Sequence, residues 1–197
     1  MNFSEYKQYL QRALDSVDEQ EVGSFIEALY DAYQRDAMIF VIGNGGSAAN
    51  ASHLAQDLAK GTCASMDQER RIRALSLTDN FAFFSALGND EGYDQVFVQQ
   101  LRTFCRPGDL LVAISGSGNS ANVLRAVEYA NEHGMKTIGI TGFSGGKLAG
   151  MIHHQVHVPL DDMCTAESVH SIVFHYVIIE LQKRMAAEHA AVVNGQA

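Results

Sequence analysis

The chain is predicted to form an α/β fold built on one five-stranded parallel sheet, and three features predict it. Short apolar runs recur along the chain, helix-periodic stretches separate them, and two of the runs end in loops rich in glycine and serine. A continuous apolar run of five or six residues marks a strand buried on both faces, as in parallel sheets. Helices between successive strands supply the right-handed crossovers that parallel pairing requires. The expected architecture is one flavodoxin-like domain with helices on both faces, residues 37–190, preceded by a helical arm, residues 1–36.

Residues 2–35 carry two helical stripes. Tyr6, Tyr9, Leu10, Ala13 and Val17 form the first, and Val22, Phe25, Ile26, Leu29 and Tyr33 the second, with a polar break at Asp18-Glu19-Gln20. The period then changes. MIFVI (38–42), IRALSL (72–77), LLVAIS (110–115), KTIGIT (136–141) and the weaker QVHVPL (155–160) predict five strands. Helices are predicted over 47–60, 81–104, 119–133 and 164–188, and the tail AAVVNGQA reads as frayed. Pro107 and Pro159 fall where strands start or end, the positions a sheet tolerates.

A chain of 197 residues buries roughly 70% of its unfolded surface, so it needs neither disulfide nor metal merely to fold. Fourteen Lys+Arg against 23 Asp+Glu give a formal charge of −9. Without a basic patch such a field repels a phosphate backbone, so nucleic acid is not an expected partner. No stretch approaches the ~20 apolar residues that cross a bilayer, so no membrane partner is expected. The acidic, amphipathic N-terminus is unlike a secretory signal. Cys63, Cys105 and Cys164 are odd in number and form no CxxC pair, which reads as reduced thiols. A cytoplasmic location follows as the expectation.

In open parallel sheets ligands bind beyond the carboxyl ends of the strands. Two loops there stand out: Gly43-Asn44-Gly45-Gly46-Ser47, and Ser115-Gly116-Ser117-Gly118-Asn119-Ser120. Glycines let backbone N–H groups approach an anion, serine hydroxyls donate further bonds, and a helix N-terminus adds partial positive charge. Three serines without a lysine suit a sugar monophosphate better than a nucleoside triphosphate. Each loop alone also reads as an ordinary turn with an N-cap, but two on one sheet favour an anion site. Gly43-x-Gly45-x-x-Ala48 fits the dinucleotide fingerprint, yet Asp79 comes later than its ribose-binding acid should, and the serine loop has no part in that scheme. Residues 141–147, TGFSGGK, miss the P-loop spacing and read as a turn.

Acid–base groups lie on two helices. His53 and Asp57 are four apart and share a face, while Glu167, Ser171 and His175 recur at four-residue steps in an apolar run. Taken alone, His175 reads as a core or interface residue. His153, His154 and His157 belong to the weak fifth strand and its turn.

The blocks GNGGSAANASHLAQDL, GNDEGYDQVF, GDLLVAISGSGNSANVLRAVEYA, GMKTIGITGFSGGKLAG and AESVHSIVFH together resemble the sugar isomerase (SIS) domain. Within it they resemble the phosphoheptose isomerase (sedoheptulose 7-phosphate isomerase) family, over most of the chain. The resemblance implies an aldose–ketose isomerase of heptose biosynthesis. It would convert sedoheptulose 7-phosphate to D-glycero-D-manno-heptose 7-phosphate through an enediol. It also implies that Ser115, Ser117 and Ser120 hold the phosphate, with Gly116 where the family usually has threonine. Asn44, Gly45, Gly46, Asn89 and Asp90 would line the sugar.

The base position of that family falls on Asp57 and the acid position on His175. A zinc ion, one per subunit, would be held by His53, Asp57, Glu167 and His175, with Glu167 also facing the substrate. Two departures stand out. The family base is normally glutamate, one methylene longer than Asp57. Glu167 replaces a usual glutamine, and the added carboxylate strengthens attraction for a divalent cation. A homotetramer with sites completed by neighbouring subunits is also implied. An alternative is a non-catalytic SIS module that binds a replication-initiation partner; such relatives lose the acid–base pair, which this chain keeps at 57 and 175. A phosphosugar-sensing regulator ranks last, because the sequence shows no DNA-binding extension.

Overall fold

Each apolar run becomes a strand: β1 (Met38–Gly43), β2 (Arg73–Ser76), β3 (Leu110–Ser115), β4 (Lys136–Thr141) and β5 (His154–His157). The computed structural model describes residues 1–193, with side chains through residue 190. All strand pairs are parallel, in the order β2-β1-β3-β4-β5. The direction of progression reverses between β1 and β3, and the loops leaving such a switch point diverge to open a crevice. Gly43 pairs with Ile114, and Ser115 with Thr141, so the glycine and serine loops leave the sheet side by side.

Among the described residues seven α-helices surround the sheet: α1 (Phe3–Asp15), α2 (Glu19–Gln34), α3 (Gly46–Gln56), α4 (Phe81–Asp90), α5 (Val98–Phe104), α6 (Ala121–Glu132) and α7 (Met163–Val193). Strand alternation sends Ile39 and Val41 into one core with α2, α3 and α7. It sends Phe40 and Ile42 into the other, with Phe97 just before α5, Leu101 of α5, and Val123 and Val127 of α6. Among the described residues, no helix is long and apolar enough to cross a membrane.

Four boundaries differ from the sequence reading. The predicted helix 81–104 is two helices, because Gly92 at φ 103° takes a backbone that L-residues avoid, and a short 3-10 turn at Tyr93–Gln95 follows. The break at 18–20 is narrower: Asp18 accepts from Gln20 N–H as the N-cap of α2, so Glu19 and Gln20 form its first turn. β5 ends at His157, before Pro159, which has no N–H for the ladder. The last helix continues through Val193, so its end is not frayed at residue 190; the remainder of the tail, 194–197, lies outside the described residues.

Candidate active site

At the carboxyl edge of the sheet a cavity of about 240 Å³ is lined by both loops and by α7. Asn44, Gly45, Gly46 and Ser47 form one wall, Ser115, Gly116, Ser117 and Ser120 another, and Met163 and Glu167 close the third. No lysine or arginine lines it. Ser120 is the N-cap of α6, yet its side chain makes no cap bond. Its hydroxyl and the first turn of the helix are therefore available to an anion.

The serine loop is held from behind. Gly118 N–H donates to the carbonyl (3.1 Å) and hydroxyl (3.1 Å) of Ser115, and Gly142 N–H donates to the Gly116 carbonyl at 2.9 Å. Gly118, at φ 64°, packs backbone to backbone on Gly145 and Gly146, and its carbonyl accepts from Leu148 N–H at 3.0 Å. The TGFSGGK segment is thus a turn, as expected, and it forms the rear wall of the anion loop.

Asn44 forms a reciprocal amide pair with Asn122, both bonds at 2.9 Å, and its Oδ1 accepts from Tyr93 Oη at 2.9 Å. Asn122 is buried on the first turn of α6, and a buried amide demands partners. That is the signal by which the sequence could have revealed it. Tyr93 and Met163 carried none. Asn89 and Asp90 do not line the cavity: they sit exposed at the end of α4, with Asn89 Nδ2 donating to Asp90 Oδ1 at 2.7 Å. Asp79 accepts from the Ser52 hydroxyl, which further weakens a dinucleotide reading.

A second constellation lies further along the same two helices. Asp57 follows α3 and opens a π-helical turn, Asp57–Gly61, a distortion common at functional sites. Its Oδ2 lies 3.3 Å from His53 Nε2 and 3.9 Å from His175 Nε2. The two imidazoles meet edge to face, centroids 5.0 Å apart. Asp57 is 20% exposed against 52% and 56% for the histidines, so the carboxylate is the inner member. Asn50 sets the register of the two helices: its Nδ2 donates to the Glu167 carbonyl (3.2 Å), and its Oδ1 accepts from Ser171 Oγ (2.7 Å).

The donor atoms of His53, Asp57 and His175 all lie within 4.8 Å of one another. Two imidazole nitrogens, one carboxylate oxygen and an open side fit a catalytic-type divalent cation after a small contraction. Glu167 is not part of this cluster. Its carboxylate rests against Gly46, where a Cβ would collide with it, and residues 167 and 175 are roughly 12 Å apart along the helix axis. The structure therefore gathers three of the four expected ligands and puts the fourth in the anion cavity, at the start of α3.

The SIS domain family profile matches residues 3–142. A phosphoheptose isomerase from Geotalea daltonii is 35% identical over 90% of this chain and 93% of its own. The chain belongs to the phosphoheptose isomerase family. A solved phosphoheptose isomerase from Neisseria gonorrhoeae superposes with a TM-score of 0.83 at 32% identity, covering 91% of this chain and 96% of that one. One from Francisella tularensis gives 0.84 at 27%, with the same coverage. The five-stranded parallel α/β fold expected from the apolar runs is the fold of this family.

The glycine and serine loops leave the carboxyl ends of β1 and β3, Asp57 follows α3, and His175 lies on α7. The Asp57 carboxylate thus belongs to the histidine cluster, and the Glu167 carboxylate to the cavity that no lysine or arginine lines.

Proposed function

We propose that this protein is an aldose–ketose isomerase converting sedoheptulose 7-phosphate to D-glycero-D-manno-heptose 7-phosphate. One observation carries the proposal. α3 and α7 each begin in a cationless anion cavity and each deliver acid–base groups to the His53–Asp57–His175 cluster further along. That separation suits a long sugar phosphate, with its phosphate at one end and its reacting carbons at the other.

The phosphate sits on Ser115, Ser117 and Ser120 at the start of α6, and this remote anchor holds the sugar carbons in place. Asn44, Gly45, Gly46 and Glu167 face the sugar. Asp57 accepts a proton from C1 of the ketose, and the C–H electron pair forms the enediol double bond. His175 protonates the developing oxygen at C2. Return of a proton to C2 and loss of the C1 hydroxyl proton complete the aldose, with no net oxidant.

His53, Asp57 and His175 would hold a zinc ion, which supplies polarisation of the carbonyl when bound. The protein acts in the cytoplasm as a homotetramer. Support for assembly is a cleft of about 660 Å³ between the arm and α7, with the exposed apolar side chains of Ile172 and Tyr176 on its rim. Ile179, a turn beyond, is also exposed, and α4 buries none of its phenylalanines fully.

The test is Asp57→Asn and His175→Ala in deuterated water. Each should lower turnover by at least about 10²-fold while sugar phosphate affinity stays within about threefold. Turnover at the wild-type rate would remove these residues from the mechanism.

A further inference from the structure

His170 is the one completely buried imidazole of α7, midway between Glu167 and His175, and no step above uses it. Its Nε2 lies 3.1 Å from the Thr141 carbonyl, so the ring donates from Nε2. Nδ1 is buried without a partner among the described residues. Burial lowers its pKa to about 4, so the ring is neutral near pH 7 and carries one N–H, the one on Thr141.

The Thr141 carbonyl and the Gly142 N–H belong to the same peptide group. Gly142 N–H donates to the Gly116 carbonyl, and Gly142 packs against both Gly116 and Ala166 of α7. The Gly116 carbonyl in turn shares a peptide with Ser117 N–H. Among the described residues there is no cis peptide, so in each group the C=O and N–H point in opposite directions. Holding the Gly116 carbonyl on Gly142 turns Ser117 N–H the other way. Among the described residues, that N–H donates to no protein group.

We propose that His170 is a positioning residue for the anion loop, acting through two peptide groups in series to aim Ser117 N–H at the bound phosphate. Each bond polarises the next, so the donor presented to the anion is strengthened as well as oriented. The Thr141 carbonyl also accepts from Val158 N–H at 2.9 Å, so loss of the imidazole loosens the relay without dissolving it. The inference rests on the reading of residues 115–120 as the phosphate loop.

The experiment compares His170→Phe, which keeps the ring packed on Phe174 but removes the donor, with His170→Gln, whose Nε2 restores one. Binding of inorganic phosphate and of sedoheptulose 7-phosphate is measured by calorimetry, and kcat and KM by turnover. His170→Phe should weaken both ligands about tenfold and raise KM in step, with kcat within about twofold. His170→Gln should return affinity to within about threefold of wild type. A folded His170→Phe protein with wild-type affinity overturns the proposal, as does a glutamine variant no better than phenylalanine.

Nitrogen NMR of the wild type decides the matter if His170→Phe does not fold. The Nε2–H tautomer should be seen, and the Gly142 and Ser117 amides and the His170 ring should shift together on phosphate addition. An Nδ1–H tautomer or an unmoved ring refutes the relay. Failure of the wild type to bind phosphate at all would instead overturn the phosphate-loop reading itself, and the relay with it.

Discussion

Glutamate at 167 places a negative charge in a cavity proposed to bind a phosphate dianion, and its replacement by glutamine makes a quantitative test. A cavity of about 240 Å³ is roughly 8 Å across, the size of a small-ligand subsite. A dianion at that distance carries twice the charge at twice the separation of a unit pair at 4 Å. The repulsion is therefore about 1 kcal/mol in bulk water and about 4 kcal/mol at an effective dielectric of 20. The cavity opens to solvent, so the lower half of that range applies. Glu167→Gln should tighten inorganic phosphate about 5- to 70-fold, by calorimetry on chelator-treated protein at low salt, and the gain should shrink as salt is raised. The same substitution removes a carboxylate from the start of α3, a favourable interaction of about 0.3–1 kcal/mol, so Tm should fall by a few degrees. Unchanged or weaker phosphate binding would mean that the anion does not share a cavity with Glu167.

Three further outcomes follow from the geometry. Zinc added to the chelated protein should bind one ion per chain, with His53→Ala weakening it at least about tenfold and Glu167→Gln changing it less than about threefold; equal losses would restore Glu167 to the ligand set. Gly118→Ala forces an L-residue into φ 64° and drives its Cβ into the Gly145 carbonyl. It should cost about 2–5 kcal/mol, a Tm drop on the order of 10 °C, and calorimetric scanning that finds less than about 1 kcal/mol would contradict the described loop packing. His170 titrates at about 4 when folded against an ordinary 6.5, so between those values the unfolded chain binds a proton that the folded chain refuses. Its contribution is fully present above pH 6.5 and is lost as pH falls towards 4, at most about 3 kcal/mol. Denaturant unfolding from pH 7 to 4 should show this slope in the wild type and a flatter one in His170→Gln.

The five parallel strands and the placement of the two loops at their carboxyl ends were legible because parallel strands and glycine-rich loops leave strong local marks. MIFVI and LLVAIS admit little besides buried strands, and the serines at 115, 117 and 120 sit where such sheets bind ligands. Distances across the fold were not legible. The family resemblance put residues 167 and 175 in one ligand set, but helical rise keeps them apart and the Glu167 carboxylate turns to Gly46 instead. Asn122, Asn50 and His170 escaped notice because their meaning lies in partners far away in sequence: Asn44, Ser171 and Thr141. The division at Gly92 was readable in principle, but the apolar residues of α4 and α5 run in one helical period and mask it.

The most direct test of the isomerase assignment is NMR of sedoheptulose 7-phosphate incubated with the chelated protein in deuterated water, with and without added zinc. The assignment predicts an aldose 7-phosphate carrying solvent deuterium at C2, formed with wild-type protein and lost with Asp57→Asn. Binding of the sugar phosphate without isotope exchange or aldose formation, in either metal condition, would contradict it.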